Sequence, residues 1–422
     1  MFEKYDAYKD SGVEWIGKIP TDWFNERLGT ILEPISIKGN ADKDLLSITR
    51  EKGVILRDVE DDSENHNFIP DDLSNYKLIE KGQFGMNKMK AWQGSYGVSP
   101  YTGIVSPAYY IFKFIKPIYP DFFHWAIRSK TYISFFGSAS DGVRIGQWDL
   151  SKDRMKNIPF VFPNIDSQKK IVEFIQDKAG KIDQAIAIKE QQIALLNERK
   201  QIVIQKAVTQ GLNSNVPMKD SGVEWIGQIP EHWETYFNRR LFRENSRPVK
   251  GDELPLSLSQ KDGVIPSGEM KERSLSPSHR NNFKLCFPND LVVNRFKGHL
   301  GVFFQSNYTG IVTFHYGVFE PAKNVYTKYF ELLYHTEQYK TLYAGASNGM
   351  SIGLQNLSNL NFYRIKSIVP PLEEQKLICE YADKVENEHN NLIQKLESQI
   401  EKLKEYKTTL INDAVTGKIK VA

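Results

Sequence analysis

The chain has only two cysteines, Cys286 and Cys379, in 422 residues. Two thiols cannot build a disulfide framework, so a reducing cytosol is the expected compartment. Eight histidines show no metal-ligand spacing, and no bound metal is expected. Long apolar runs are missing as well: nothing approaches a membrane span, and the polar start MFEKYDAYKD is unlike a signal peptide. Charge of one sign is not in excess. Lys and Arg number 55 against 52 Asp and Glu, a formal net charge of +3. Any surface for a polyanion must therefore be local. What remains is an ordinary globular composition, long enough for two or three domains with cores of their own.

What is present is a repeat. KDSGVEWIGKIPTDW (9–23) returns as KDSGVEWIGQIPEHW (219–233) with twelve of fifteen residues unchanged. Further along, the offset falls from 210 to 207. There NKMK at Asn87 answers NRFK at Asn294, YTGIVSPAY at Tyr101 answers YTGIVTFHY at Tyr308, and ASDGVRIG at Ala139 answers ASNGMSIG at Ala346. This is a tandem duplication of a domain, not a solenoid of short units. Within each copy, short strand-like runs rich in aromatic and β-branched residues (DLLSIT, SPAYYIFKF) precede one helical stretch, 119–136 or 326–343. A glycine-bearing loop, a strand ending in proline and a long charged helix follow. Trp15, Ile16, Ile19 and Trp23 of the doubled motif, with Trp225, Ile226, Ile229 and Trp233, are expected to anchor each copy.

The long helices carry the clearest periodicity. Ile182, Ile186, Lys189, Ile193, Leu196, Lys200, Val203 and Ala207 are spaced alternately four and three apart. So are His389, Ile393, Leu396, Ile400, Leu403, Lys407, Leu410 and Ala414. That spacing predicts a coiled-coil seam, and two seams in one chain are expected to pair antiparallel. Pairing them end to end would set Lys189 against Lys407. Sliding by one heptad sets Lys189 against Ile400 and is favoured, because it separates two like charges. The expected architecture is α/β (α+β): two tandem domains and a pair of long helices forming an antiparallel coiled coil, with a pseudo-twofold internal repeat. Its boundaries are 1–163, 164–212, 213–370 and 371–422.

Basic and aromatic residues without acids concentrate at 85–103 and 294–310, and further basic residues at 142–156. Basic side chains suit phosphates, and Arg, Lys and Gln can read base edges. The residues expected to line DNA are Lys88, Lys90, Trp92, Ser95, Tyr96, Arg144 and Gln147 in the first copy. Arg295, Lys297, His299, Ser351 and Gln355 are their counterparts in the second. From composition alone, solvated hairpins remain an equal alternative.

The doubled motif, the GIVSPAY box, the proline-to-glutamine entries (Pro163 to Gln168, Pro371 to Gln375) and the closing LINDAVTGKI together resemble the specificity subunit of type I restriction–modification enzymes. The likeness runs along nearly the whole chain. One departure is FPNIDSQ in the first copy, where the family pattern is PP-x-x-EQ. The resemblance implies two target recognition domains, each reading half of a split sequence in double-stranded DNA, with the helices as spacers. It implies two methylation subunits using S-adenosylmethionine, restriction and translocation subunits using ATP and magnesium, and no cofactor on this chain. The residues agree that the chain is no enzyme: VPPL (369–372) cannot hold a target amine, and AVTGK (414–418) lacks the glycine-rich lead of a phosphate-binding loop. A stand-alone bipartite DNA-binding regulator and a coiled-coil scaffold are the two other classes open at this stage.

Overall fold

The computed structural model describes residues 2–58, 69–142, 148–223, 225–245, 247–250, 252–270, 282–347 and 356–421. The chain forms two compact units. One combines Met1–Lys189 with Glu397–Ala422, and the other is Glu190–Leu396.

In the first unit, β1 (Leu32–Ile35), β2 (Phe84–Asn87), β3 (Tyr96–Val98) and β4 (Tyr109–Phe114) form an antiparallel sheet in the order β1-β4-β2-β3. Helices α1 (Pro120–Ile127) and α2 (Lys130–Ser138) cover it with aromatic side chains. Phe84 meets Phe123 edge-on at 5.1 Å, and Tyr96 lies 4.5 Å from Phe136. Helix α3 (Ile165–Gln210) follows.

The second unit repeats this plan. Its sheet holds β5 (Phe242–Glu244), β6 (Leu291–Asn294), β7 (Phe303–Gln305) and β8 (Tyr316–Pro321) in the order β5-β8-β6-β7. Helices α4 (Thr327–Tyr334) and α5 (Glu337–Ala346) precede α6 (Leu372–Val415).

The single helical stretch expected in each copy is two helices. Ser129 (φ −67°, ψ 157°) and Thr336 (φ −69°, ψ 148°) leave helical geometry at the same place in each repeat and start the second helix. At the first break, the Arg128 guanidinium donates to the carbonyls of Tyr96 (2.6 Å), Glu51 (2.7 Å) and Arg50 (2.8 Å). It thereby ties three segments of the first unit together.

Each long helix begins on a buried glutamine. Gln168 accepts from the Tyr119 amide (2.8 Å) and donates to Pro163 O (2.9 Å). Gln375 accepts from Tyr326 (2.8 Å) and donates to Pro370 O (2.8 Å). The departure at FPNIDSQ costs the first helix nothing here, because Asn164 Oδ1 caps it by accepting from the Ser167 amide at 2.9 Å.

The doubled motif is a turn and an anchor. Asp10 and Asp220 each accept from the amide two residues on (2.8 Å), and Ser11 and Ser221 close the turn onto Gly17 and Gly227. Trp23 is 1% and Trp233 0% exposed, but Trp15 and Trp225 are 57% and 44% exposed, against expectation. Trp15 sits on a tight turn whose amides fold back on Val13 O, and its ring stacks on Phe135 at 5.6 Å.

The anchoring tryptophans receive the far ends of the long helices. Gly211, just past α3, takes φ +77° beside Trp233, and Gly417, just past α6, takes φ +74° against Pro20 and Trp23. A Cβ on Gly417 would lie 2.5 Å from Pro20, so both the conformation and the space require glycine. Beyond it, the Lys420 amide donates to Glu3 O at 2.7 Å. Each unit thus joins the start of one long helix to the end of the other.

Ion pairs within each unit fix the helix register. In the first, Lys407 Nζ meets Asp183 at 2.6 Å and Lys189 Nζ donates to Gln399 at 2.6 Å; in the second, Lys200 lies 3.7 Å from Glu386. Numbers rise on one helix as they fall on the other, so the pairing is antiparallel. The register is the slid one, with Lys407 on the Asp183 carboxylate and Lys189 on the Gln399 side chain. Ile182, Ile400 and Leu410 are buried, while Ile186, Ile193, Leu196, Val203, Ile393, Leu396 and Leu403 are half-buried.

Candidate nucleic-acid interface

The strongest candidate surface grows from the end of the central strand of each sheet. All four residues of β2 and of β6 are buried, so the chain emerges only at the next residue, Lys88 in one copy and Arg295 in the other. An asparagine closes each strand and turns the chain. Asn87 Oδ1 accepts from the Met89 amide (3.2 Å), and Asn294 Oδ1 from the Phe296 amide (3.1 Å).

Lys88 Nζ pairs with Asp149 at 2.8 Å, and this hydrogen bond holds its pKa above the usual lysine value. Lys90 is exposed. Trp92 is half-buried, 5.2 Å from Trp148, with its indole N–H sealed off and unpartnered. In the other copy Arg295 Nη2 meets Glu244 at 2.7 Å, and Lys297 is exposed.

Two expectations are corrected. Ser95 is 2% and Tyr96 0% exposed, so neither side chain lines a surface. The glycines flanking them open the turn, but β3 itself lies beneath α2, where the ring of Tyr96 packs on Phe136 and burial pushes its phenol well above the usual range. Arg144, Gln147, Ser351 and Gln355 lie outside the described residues, as does the side chain of His299.

The sequence reading also missed residues. Glu244 accepts from Lys284 Nζ (2.8 Å), Arg295 (2.7 Å) and the Asn359 amide group, and its own amide donates to Tyr363 Oη at 2.8 Å. Lys284 Nζ also reaches Tyr316 O (2.8 Å), as Lys77 Nζ reaches Tyr109 O (2.7 Å) in the first copy. Lys77 and Lys284 sit at the 207 offset, a signal the repeat already held.

Beneath these surfaces, two homologous side chains hold β3 and β7. Half-buried His124 accepts from the Val98 amide through Nδ1 (3.2 Å), and buried Glu331 accepts from the Gln305 amide (2.7 Å). Burial, then the charge of Arg128, brings His124 down to about 4; burial, then Lys340 and Lys328, brings His335 down to about 4. An unfolded histidine takes its proton near 6.5, so the unfolded chain binds more protons between that pH and about 4, and folding weakens as pH falls through the window. Each site then costs the fold up to about 3 kcal/mol below pH 4. Glu331, which burial raises, acts in the opposite sense in the second unit, so the first unit should melt earlier on acidification. His124→Gln keeps an acceptor for the Val98 amide and should flatten the fall in melting temperature between pH 6.5 and 4.5. An unchanged pH profile would show that His124 does not drive it.

Among the described residues no group of three His, Cys, Asp or Glu could hold a metal ion, and no helix is long and apolar enough to cross a membrane. The arrangement offers cations, amides and aromatic edges, the chemistry of a polyanion-binding surface.

Residues 230–402 match the family model of the type I restriction modification DNA specificity domain. A protein assigned as the type I restriction enzyme MjaX specificity subunit of Methanocaldococcus jannaschii is 24% identical over 460 residues, covering 100% of this chain and 98% of that one. The type I restriction enzyme MjaVIII specificity subunit of the same organism is 25% identical over 309 residues, 68% of each chain. Among solved structures, a chain from a study of complex assembly and conformational transition of the type I restriction–modification system aligns with a TM-score of 0.63 at 14% identity, over 94% of this chain and 98% of the other. The HsdS subunit from Thermoanaerobacter tengcongensis aligns with a TM-score of 0.54 at 15% identity, over 95% and 98%. These structures share the fold.

Proposed function

We propose that this chain is a specificity subunit of a type I restriction–modification enzyme, and that it reads a bipartite DNA target and directs adenine methylation or restriction by partner subunits. The observation that carries the reading is the duplicated domain with unequal surfaces. The Asn87 and Asn294 turns deliver Lys88 and Arg295 to equivalent places, while their neighbours differ. One fold used twice with different side chains suits two half-sites of different sequence.

The proposed division of labour assigns 1–163 and 213–370 to target recognition, and 164–212 and 371–422 to the spacer helices. Lys88, Lys90 and Trp92, with Arg295 and Lys297, face the duplex; Arg144, Gln147, His299, Ser351 and Gln355 belong to the same proposal. Two methylation subunits supply S-adenosylmethionine chemistry, and restriction and translocation subunits supply ATP- and magnesium-dependent steps, in the cytoplasm. This chain positions; it performs no bond-making step.

Adenine methylation mapped across a host genome, with and without this reading frame, tests the proposal. The expected result is one split motif, two short specified blocks around unspecified bases, that vanishes with the frame. A continuous or palindromic motif, or no change, would overturn it.

A further inference from the structure

The two copies place different charges at one equivalent position. Pro34 of β1 pairs with Phe112, and Glu244 of β5 pairs with Phe319, which is the same residue 207 positions on. In the second unit Glu244 therefore sits at the centre of Lys284, Arg295 and Asn359 and binds all three. In the first unit the corresponding residues are Lys77, Lys88 and Lys152, and proline holds the central place. Lys152 replaces Asn359, so a cation is added where the carboxylate is lost. Lys152 Nζ lies 4.4 Å over the Tyr110 ring, next to the Tyr109 carbonyl that holds Lys77. Lys88 keeps one carboxylate, the half-exposed Asp149. Burial, then the charges of Lys152, Lys38 and Lys88, lowers the pKa of Lys77, so the clustered cations repel one another.

We propose that Lys77, Lys88 and Lys152 form a binding site for DNA backbone phosphate in the first recognition domain, and that Glu244 neutralises the equivalent site of the second from within. The proposal rests on the reading of the chain as a DNA-binding specificity subunit and adds an unequal electrostatic load to it. The first domain supplies most of the salt-sensitive, sequence-independent grip. The second, its cations engaged internally, contributes mainly shape and base contacts.

Affinity of the full chain for a non-cognate duplex, measured across a range of salt concentrations, tests this. Each phosphate contact adds about 0.9 to the log–log salt slope. The variant carrying both Lys77→Gln and Lys152→Gln should lose roughly two contacts from that slope and bind on the order of 10- to 100-fold more weakly at 0.1 M salt. Pro34→Glu, which gives the first domain the carboxylate of the second, should lower the slope by about one contact. Glu244→Gln keeps the hydrogen-bonding shape and should raise the slope by about one contact. This gain cannot arise from misfolding and decides the matter if the lysine variant fails to fold. A wild-type slope in Glu244→Gln, or in a folded lysine variant, would overturn the proposal. Wild-type protein that binds no duplex at any salt would instead sink the underlying functional reading.

Discussion

Inserting seven residues into the seam of both α3 and α6 is expected to change the methylated sequence while leaving its two specified blocks intact. Seven helical residues add ~10 Å, and at ~3.4 Å per base pair this adds about three unspecified pairs between the blocks. The seam tolerates a whole heptad because it repeats every seven residues. Asp183–Lys407 and Lys200–Glu386 can both re-form on either side of an insertion placed between them. An insertion of two residues would turn the apolar row by about 200°, onto the opposite face of the helix, and should abolish methylation rather than shift it. Methylome sequencing of cells carrying each variant reads the result. A heptad variant that still methylates at the original spacing would show that these helices do not set the gap.

Removing either anchoring tryptophan should cost the most stability of any single truncation in the doubled motif. Trp23→Ala and Trp233→Ala each empty a site with at most 1% exposure, where losses run to about 3–5 kcal/mol. Trp233 adds a hydrogen bond from its indole to Glu374 at 3.0 Å, while the indole of Trp23 has no partner. Trp233→Phe should therefore be the more damaging of the two phenylalanine variants. Trp15→Ala and Trp225→Ala, at half-exposed sites, should each change stability by no more than about 1 kcal/mol. Calorimetry on the four alanine variants separates the pairs, and similar losses in all four would refute the assignment of the anchor to the second tryptophan.

The long helices and the duplication were legible because both are periodic signals, sustained over many residues and insensitive to distant neighbours. The register was not legible: like charges at Lys189 and Lys407 only leaned towards the slid pairing, and the partners Asp183 and Gln399 decide it. Short segments fared worse. Tyr96 lies in GSYGV, whose glycines suggest an open hairpin. Three strand residues are too few to show alternation, and only the packing of α2 reveals that both faces are covered. Arg295 looked free because its partner Glu244 is fifty-one residues away. Their meeting depends on β5, β8 and β6 lying side by side, a product of tertiary structure that local pattern cannot display. The break at Ser129 and Thr336 went unseen because both flanking segments are good helix formers and neither break contains glycine or proline.

The first unit is assembled from both ends of the chain, and this sets an order of manufacture. As the chain leaves the ribosome, Met1–Lys189 emerge without Glu397–Ala422, so Trp23 has no Gly417 beside it and the places filled by Ala414 and Val415 stand open. Glu190–Leu396 is one uninterrupted stretch and can close as soon as it is out. At ordinary translation speeds the first-made domain waits ~10–40 s for its last piece. A ribosome that stops short of the final turns of α6 would therefore leave unfinished the domain it made first, and release the later one whole.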